Sequence, residues 1–314
     1  MKTYLIALLS AFSLTFFLTA VLTPLLRRLK AGQYILGYVK EHKSKNGTPT
    51  MGGLAFISAI IIVSLIFYRF DNKTVNLTLM TTAGFMAVGF LDDFLKIYRR
   101  ENEGLKPYQK IIFQLAISVI AAVYCYLNGI TRLNVPFGGG LSFDIKWGII
   151  PLVIFIFLAS VNCVNLTDGL DGLAGGTCLA YLASFGAILY IGENSSSQLC
   201  FIAVGALAAF LCFNTSRASL FMGDTGSLAL GGLIACVTVF SGNALYLPFI
   251  GIMFVLSGIS VIVQVIYYKR TGRRVFLMAP LHHHFQMKGH SECKISYAYA
   301  LVTALIGIIC VIFL

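Results

Sequence analysis

The sequence predicts an all-α integral membrane protein with about ten transmembrane helices and both termini outside. Three observations lead there. The 314 residues are 58% hydrophobic and only 11% charged, which places the chain outside soluble globular proteins. Apolar runs of roughly 17–25 residues, long enough to cross the hydrocarbon core, recur along the whole length. Lys and Arg gather in alternate connections between those runs.

The runs fall near 3–26, 53–70, 74–91, 111–128, 147–164, 173–191, 198–213, 227–241, 246–268 and 295–314. The first is too long for a signal-peptide core and lacks a small-x-small cleavage site, so it counts as a mature helix. No connection is long enough to hold a soluble domain, and residues 1–314 are expected to form a single polytopic domain. Between the fourth and fifth runs, Leu133, Val135 and Phe137 alternate with polar residues, as do Leu141, Phe143 and Ile145 beyond Gly138-Gly139-Gly140. That period-2 pattern around a glycine turn predicts a small β-hairpin near 131–147 on the outer face. Pro151 and Pro248 stand near segment starts, where proline costs little. Gly251 and Gly258, with Ser257 and Ser260, make the helix near 246–268 the one expected to bend.

The net charge of +11 is a statement about topology. If connections alternate sides, only Lys2, Arg69, Lys73, Arg132 and Lys146 of the 23 basic residues lie on one side. The positive-inside rule puts the other side in the cytoplasm, and no nucleic-acid partner is required. The eight cysteines form no CxxC pair and sit mostly in apolar runs. They read as small buried hydrophobes, with no disulfide and no zinc site.

Five of the twelve acids lie at the cytoplasmic ends of these runs beside Gly, Asn or Thr: Asp92, Asp93, Asp168, Asp171 and Asp224. Carboxylates at a membrane edge are costly to desolvate and mark a site when they recur. Asp92 and Asp93 (GFLDDFLK, 89–96) end a run that travels inward, where acids oppose the helix dipole, so capping does not explain them. Lys96 stands one turn on and can supply a compensating cation. Asp168 and Asp171 (NLTDGLDG, 165–172) open the sixth run, where one of them, or Asn165, could cap a helix. In a helical turn the two would share a face, and Gly169 would admit a ligand close to the backbone. Asp224 (FMGDTGS, 221–227) precedes the eighth run, where it or Ser227 could be the N-cap, or a cation ligand at a phosphate-favouring helix end. Asn214 ends the seventh run just upstream. The remaining acids, Glu292 among them, fall in ordinary connections. An oxygen-rich set with no Cys or His interleaved fits Mg²⁺ held together with a diphosphate better than zinc.

Other polar groups share that side. Lys45 and Thr50 lie in a polar turn before the second run and offer a phosphate or base contact. Lys106 and Lys110 flank the fourth run. His282, His283 and His284 cannot all bind one metal from a single helix face, so hydrogen bonding to phosphate or a nucleobase suits them better. Gln264, in an apolar stretch, needs a polar partner and is expected to line the same cavity.

The strings TPTMGG (48–53), GFLDDFLK, VNLTDGLDGLAGG (164–176), FMGDTGSL (221–228) and FLMAPLHHHF (276–285) occur in this order. The set resembles the phospho-N-acetylmuramoyl-pentapeptide transferase family, within the polyprenyl-phosphate N-acetylhexosamine-1-phosphate transferase superfamily. The resemblance covers nearly the whole chain. TPTMGG and MAPLHHHF point to the muramoyl-pentapeptide branch, whereas the DD and NLTDGLDG strings would also fit relatives that use UDP-N-acetylglucosamine. It departs from the family pattern at Tyr108, Cys163, Arg217 and Gln286, the last where Glu is frequent, and near 295–299. None of these touches the acidic motifs.

The resemblance implies ten transmembrane helices, usually in a homodimer, in the bacterial cytoplasmic (inner) membrane with the active site on its cytoplasmic face. It implies the substrates UDP-N-acetylmuramoyl-pentapeptide and undecaprenyl phosphate, Mg²⁺ as cofactor, and release of UMP. By motif position Asp224 looks like the main metal ligand and Asp92 like the base toward the lipid phosphate, with Asp93 supporting base or metal. Asp168, Gly169 and Asp171 look like organisers of the diphosphate and nucleoside. Lys45, Thr50, Lys96, Lys110, Asn165, Asn214, Phe221 and Gln264 look like pocket residues. His282, His283 and His284 look like substrate contacts, His283 being the catalytic one. A cation-coupled transporter is the reading from another class, but transporters hold their acids near the midplane on broken helices of repeated halves. Here the acids sit at one face and no repeat is evident.

Overall fold

The computed structural model describes residues 1–29, 32, 47–101 and 103–314; Lys45 lies outside the described residues. The described residues form a helical bundle with one small β-hairpin. Its long helices are α1 (Lys2–Arg28), α2 (Gly53–Tyr68), α3 (Lys73–Arg99), α4 (Pro107–Leu127), α5 (Ile149–Thr167), α6 (Leu173–Ile191), α7 (Ser197–Asn214) and α8 (Gly223–Phe240). A short α9 (Leu247–Ile250) and the long α10 (Ile252–Thr271) follow, then a short α11 (Leu281–Met287) and α12 (Glu292–Ile312). Among the described residues nine helices are long and apolar enough to cross a membrane. The 16-residue α2 is the tenth apolar helix, a little short of a usual span.

Burial sorts the helices. In α8 every residue from Thr225 to Phe240 is buried, as expected of a helix apolar all round. It forms the axis of the bundle, packed against α3, α5 and α2. Helices α1, α4, α10 and α12 instead expose apolar faces, such as Leu5 and Leu9, Ile112 and Ile120, Ile262 and Ile266, and Leu305 and Ile309. In a bilayer those faces meet lipid, so their exposure costs nothing.

Strands β1 (Arg132–Asn134) and β2 (Ser142–Asp144) form the expected antiparallel hairpin, with Leu133 opposite Phe143. Asn134 donates from Nδ2 to Asn243 Oδ1 at 3.0 Å, and Phe137 at the tip packs edge-on against Phe249. The hairpin is therefore tied to the α8–α9 connection, at the opposite end of α8 from Asp224. The helix expected to bend is broken at Gly251, between α9 and α10. Gly258 causes no break; it lets α10 close on Cys163 of α5, whose Sγ a Cβ there would meet at 2.5 Å.

Two boundaries differ from expectation. Helix α3 runs on through Asp92 and Asp93 to Arg99, because Phe94, Leu95 and Ile97 continue its apolar stripe. Asn165 and Thr167 close α5 and do not open α6, whose N-cap is Gly172 with no capping side chain. Asp168 and Asp171 therefore lie in a tight turn between helices and not on a helical face.

Candidate active site

The acidic residues at one end of the bundle converge. Asp92 and Asp93 come from the last third of α3, and Asp224 from the first turn of α8. One carboxylate oxygen from each lies within 4.8 Å of the others. Lys96 Nζ contacts Asp92 Oδ2 at 2.6 Å and Asp224 Oδ2 at 2.9 Å. Lys110 Nζ, from the first turn of α4, contacts Asp224 Oδ2 at 2.7 Å and Asp92 Oδ1 at 3.3 Å. Two ammonium groups thus bridge two carboxylates. Desolvated charges persist where such pairing compensates them.

The puzzle of acids at the carboxyl end of α3 resolves across helices. Asp93 accepts from the backbone N–H of Asp224 at 3.2 Å and of Thr225 at 2.9 Å, and from Thr225 Oγ1 at 2.7 Å. It therefore satisfies orphan donors at the amino end of α8, where negative charge is favoured. Asp92 accepts from Leu105 N at 2.9 Å. Asn165, in the last turn of α5, donates from Nδ2 to Asp224 Oδ1 and Ser227 Oγ at 2.7 and 2.8 Å. Neither Asp224 nor Ser227 is an N-cap; that position is Met222, without a capping side chain.

Backbone pairing brings TPTMGG to the same place. Phe221 N donates to Pro49 O, and Gly52 N donates to Phe221 O, both at 2.8 Å. Thr50 is buried there, and a Cβ on Gly223 would meet Thr50 Oγ1 at 2.6 Å and Asp93 Oδ2 at 2.5 Å.

Asp168 ends α5, half-buried, within electrostatic reach of the cluster. Burial, then the charges of Asp224, Asp93 and Asp171, push its carboxyl up to about 8, with Lys96 pulling the other way. Asp171 accepts from Ala218 N at 3.0 Å, and its own N–H donates to Glu292 Oε2 at 3.3 Å. Glu292 is thus no ordinary connection residue: it sits in the first turn of α12 and also accepts from Gln286 Nε2. Asn214 uses its amide to accept from Gly172 N and donate to Leu220 O, clamping the two connections together.

The histidines separate into three environments. His282 is buried against Gly169, where a Cβ would fall 2.3 Å from Nε2, and edge-on to Tyr299. Burial, then His283, press its pKa down to about 3, so its ring is neutral. His283 Nδ1 lies 3.0 Å from Gln286 Oε1, which makes Nδ1 the donor. His284 Nδ1 accepts from Leu277 N at 3.1 Å. Gln264 accepts from Val275 N and Phe276 N, both at 3.0 Å, and donates to Phe276 O. It straps the connection after α10 onto that helix.

Sequence reasoning had not singled out Thr225 or the Leu105 amide, and had dismissed Glu292. Thr225 sits inside a motif already marked by Asp224. A backbone donor leaves no signal in side-chain types.

Nine spanning-length apolar helices and a shorter tenth among the described residues, with a carboxylate–lysine cluster at one end, suit charged-group chemistry at a membrane surface. Residues 75–242 match the family model for glycosyl transferase family 4. Residues 45–57 match phospho-N-acetylmuramoyl-pentapeptide-transferase signature 1. Relatives of that name resemble it over nearly their full length. The protein of Bacillus subtilis (strain 168) is 42% identical over 97% of this chain and 96% of its own. That of Clostridium perfringens (strain 13 / Type A) is 44% identical over 95% and 94%. That of Listeria monocytogenes serotype 4b is 40% identical over 98% of both. The class is therefore a multi-pass membrane phosphosugar transferase. Within it, the chain belongs to the phospho-N-acetylmuramoyl-pentapeptide-transferase family.

Proposed function

We propose that this single polytopic domain, residues 1–314, transfers phospho-N-acetylmuramoyl-pentapeptide from its UDP derivative to undecaprenyl phosphate. The products are UMP and lipid I, the lipid-linked sugar diphosphate. The observation that carries the site assignment is the meeting of Asp92, Asp93 and Asp224 within 4.8 Å, bridged by Lys96 and Lys110. Three carboxylates with no nitrogen or sulfur ligand are a hard-cation donor set, and Mg²⁺ is the ion that fits it. Bound there, Mg²⁺ supplies charge neutralisation for the nucleotide's diphosphate and for the leaving UMP.

Asp224 and Asp92 are the ligands of choice for that ion. Asp93, with its oxygens held by the amino end of α8, fixes α3 against α8 and supports them. Lys96 and Lys110 are placed to bind phosphate oxygens. In the proposed step a lipid-phosphate oxygen attacks the sugar-bearing phosphorus directly, the phosphorus–oxygen bond to UMP breaks, and UMP leaves with the electron pair. A phosphate monoester has its second pKa near about 6, so at neutral pH only its residual proton has to be accepted, which we assign to Asp92. Asp168, Gly169 and Asp171, with Asn165, Thr50, Lys45 and Phe221, are assigned to the nucleotide side. His283 and His284 are assigned to substrate contact. His282, Asn214 and Gln264 hold the surrounding connections, which favours a supporting role for them.

The basic connections share the end of the bundle that carries the acids, which supports a cytoplasmic active-site face in the bacterial inner membrane, with both termini outside. A homodimer is proposed from the resemblance. Detergent-solubilised protein is expected to release UMP from UDP-N-acetylmuramoyl-pentapeptide only with undecaprenyl phosphate and Mg²⁺, and to lose activity in EDTA. Faster turnover of UDP-N-acetylglucosamine, or none of either sugar, would overturn the assignment.

A further inference from the structure

The helix that carries Lys110 also holds a buried carboxamide, to which the reaction as proposed gives no role. Gln114 is wholly buried in α4, one turn on from Lys110. Its Oε1 accepts from Asn162 Nδ2 of α5 at 2.8 Å, and the same amide donates to Leu158 O, also at 2.8 Å. A buried carboxamide is expensive unless it is hydrogen-bonded; the contact to Asn162 satisfies Gln114 Oε1, while its buried Nε2 makes no hydrogen bond among the described residues. The rest of the buried face of α4 is small: Ser118, Ala121, Ala122 and Cys125. Ala121, Ala122 and Cys125 pack in one apolar cluster with Val153, Phe157 and Val161 of α5, and the amide pair adds a directional contact to that close packing.

We propose that the Gln114–Asn162 pair is a positioning lock that sets the height of α4 on α5, so that Lys110 and Asn165 meet opposite oxygens of Asp224. Lys110 and Gln114 stand at i,i+4 on one face of α4, and Asn162 and Asn165 at i,i+3 on one face of α5. The facing helices therefore carry two stacked rungs. In the deeper rung the amides join directly. In the outer rung Lys110 Nζ reaches Asp224 Oδ2 and Asn165 Nδ2 reaches Asp224 Oδ1, each at 2.7 Å. A slip of one residue moves α4 by about 1.5 Å along its axis and turns it by about 100°, which would carry Lys110 off the face that meets Asp224. The lock acts through Lys110 and touches no reacting atom. It rests on the reading of the site given above.

The test uses purified full-length protein in detergent with both substrates and Mg²⁺. Gln114→Leu and Gln114→Asn should lower kcat by about 10- to 100-fold, the usual cost of a misplacement near 1 Å, with KM for the nucleotide nearly unchanged. Gln114→Leu should add no further loss in a Lys110→Gln background, because both changes remove one interaction. The exchange Gln114→Asn with Asn162→Gln, which keeps the summed side-chain length, should recover most of the rate. Wild-type kcat in the single variants overturns the lock, as do losses that multiply with Lys110→Gln. If the leucine variant does not fold, Gln114→Asn and the exchanged pair decide, and equal rates in those two overturn it. No turnover by the wild-type chain would instead count against the proposed function.

Discussion

Asp93 and Asp224 are both acids at the amino end of α8, yet they serve it differently. Asp93 turns its oxygens to the backbone donors of α8, while Asp224 turns its own toward Lys96, Lys110 and Asn165. Asp224→Asn keeps the volume and the Asn165 contact but removes the charge that holds two ammonium groups and that would hold the proposed metal ion. Turnover should fall on the order of 10³-fold, as when a preorganised electrostatic group is lost, and Asp92→Asn should behave alike while both proteins stay folded. Wild-type rates in both would refute the metal and base assignments. His282 carries a separate prediction, about stability. Its folded pKa of about 3 lies below its ordinary 6.5, so below 6.5 the unfolded chain binds a proton that the docked ring does not. Stability from this group is complete above 6.5 and falls as pH drops toward 3, by about 1.4 kcal/mol per pH unit. At pH 5 the loss is roughly 2 kcal/mol. Detergent half-life measured from pH 7 to pH 5 should drop more steeply for the wild type than for His282→Gln. Gly169→Ala, which places a methyl against the ring, should flatten the same slope; parallel profiles in all three would refute the buried neutral ring.

Between elements, what matters is how closely α3 lies on α8. A Cβ on Gly89 would fall 2.1 Å from Asp224 O, a backbone atom that cannot swing aside. Gly89→Ala must therefore part the helices just where Asp92 and Asp93 meet Asp224. The expected result is a loss of about 1–3 kcal/mol of stability from overpacking, and a fall in kcat of about 100-fold from misplacement. Gly84→Ala is the control: its Cβ meets only the flexible Ile117 Cδ1 at 3.3 Å, so both quantities should stay near wild type. Equal effects of the two substitutions would show that the approach at Gly89 does not set the site. Helix existence was legible at this scale because apolar runs of spanning length have few other outcomes, and the hairpin was legible from its alternation. The ends were not. Asn165 reads as a helix start by residue type, but the apolar run of α5 carries it into that helix, where its amide finds Asp224. The partner of Asp93 was equally hidden, since an acid at one helix's carboxyl end makes electrostatic sense only once another helix's amino end is known to face it.

Over the whole molecule, chemistry and charge divide along the axis of α8. Asp224 lies at its first turn, and the hairpin is tied to the connection that leaves its last. The count of Lys and Arg over alternating connections places all five singled-out acids on the basic side, and the bundle gathers Asp92, Asp93 and Asp224 into one cluster, with Asp168 in electrostatic reach. The count could not say which would touch, because that depends on three interhelix contacts and a backbone pairing between residues far apart in the chain. The basic side should face the cytoplasm, since Lys and Arg next to short loops resist translocation. In a cysteine-free background, a cysteine at Gly139 in the hairpin turn should react with a membrane-impermeant maleimide added to intact cells. One at Gly272, just beyond α10 and beside Arg270 and Arg273, should react only after the membrane is opened. Both glycines leave open space for a side chain, although each has a positive φ, so labelling is to be read only from variants that keep turnover. The reverse pattern would put the carboxylates on the side that a cytoplasmic nucleotide cannot reach, and the proposed reaction would lose its substrate whatever the geometry of the site.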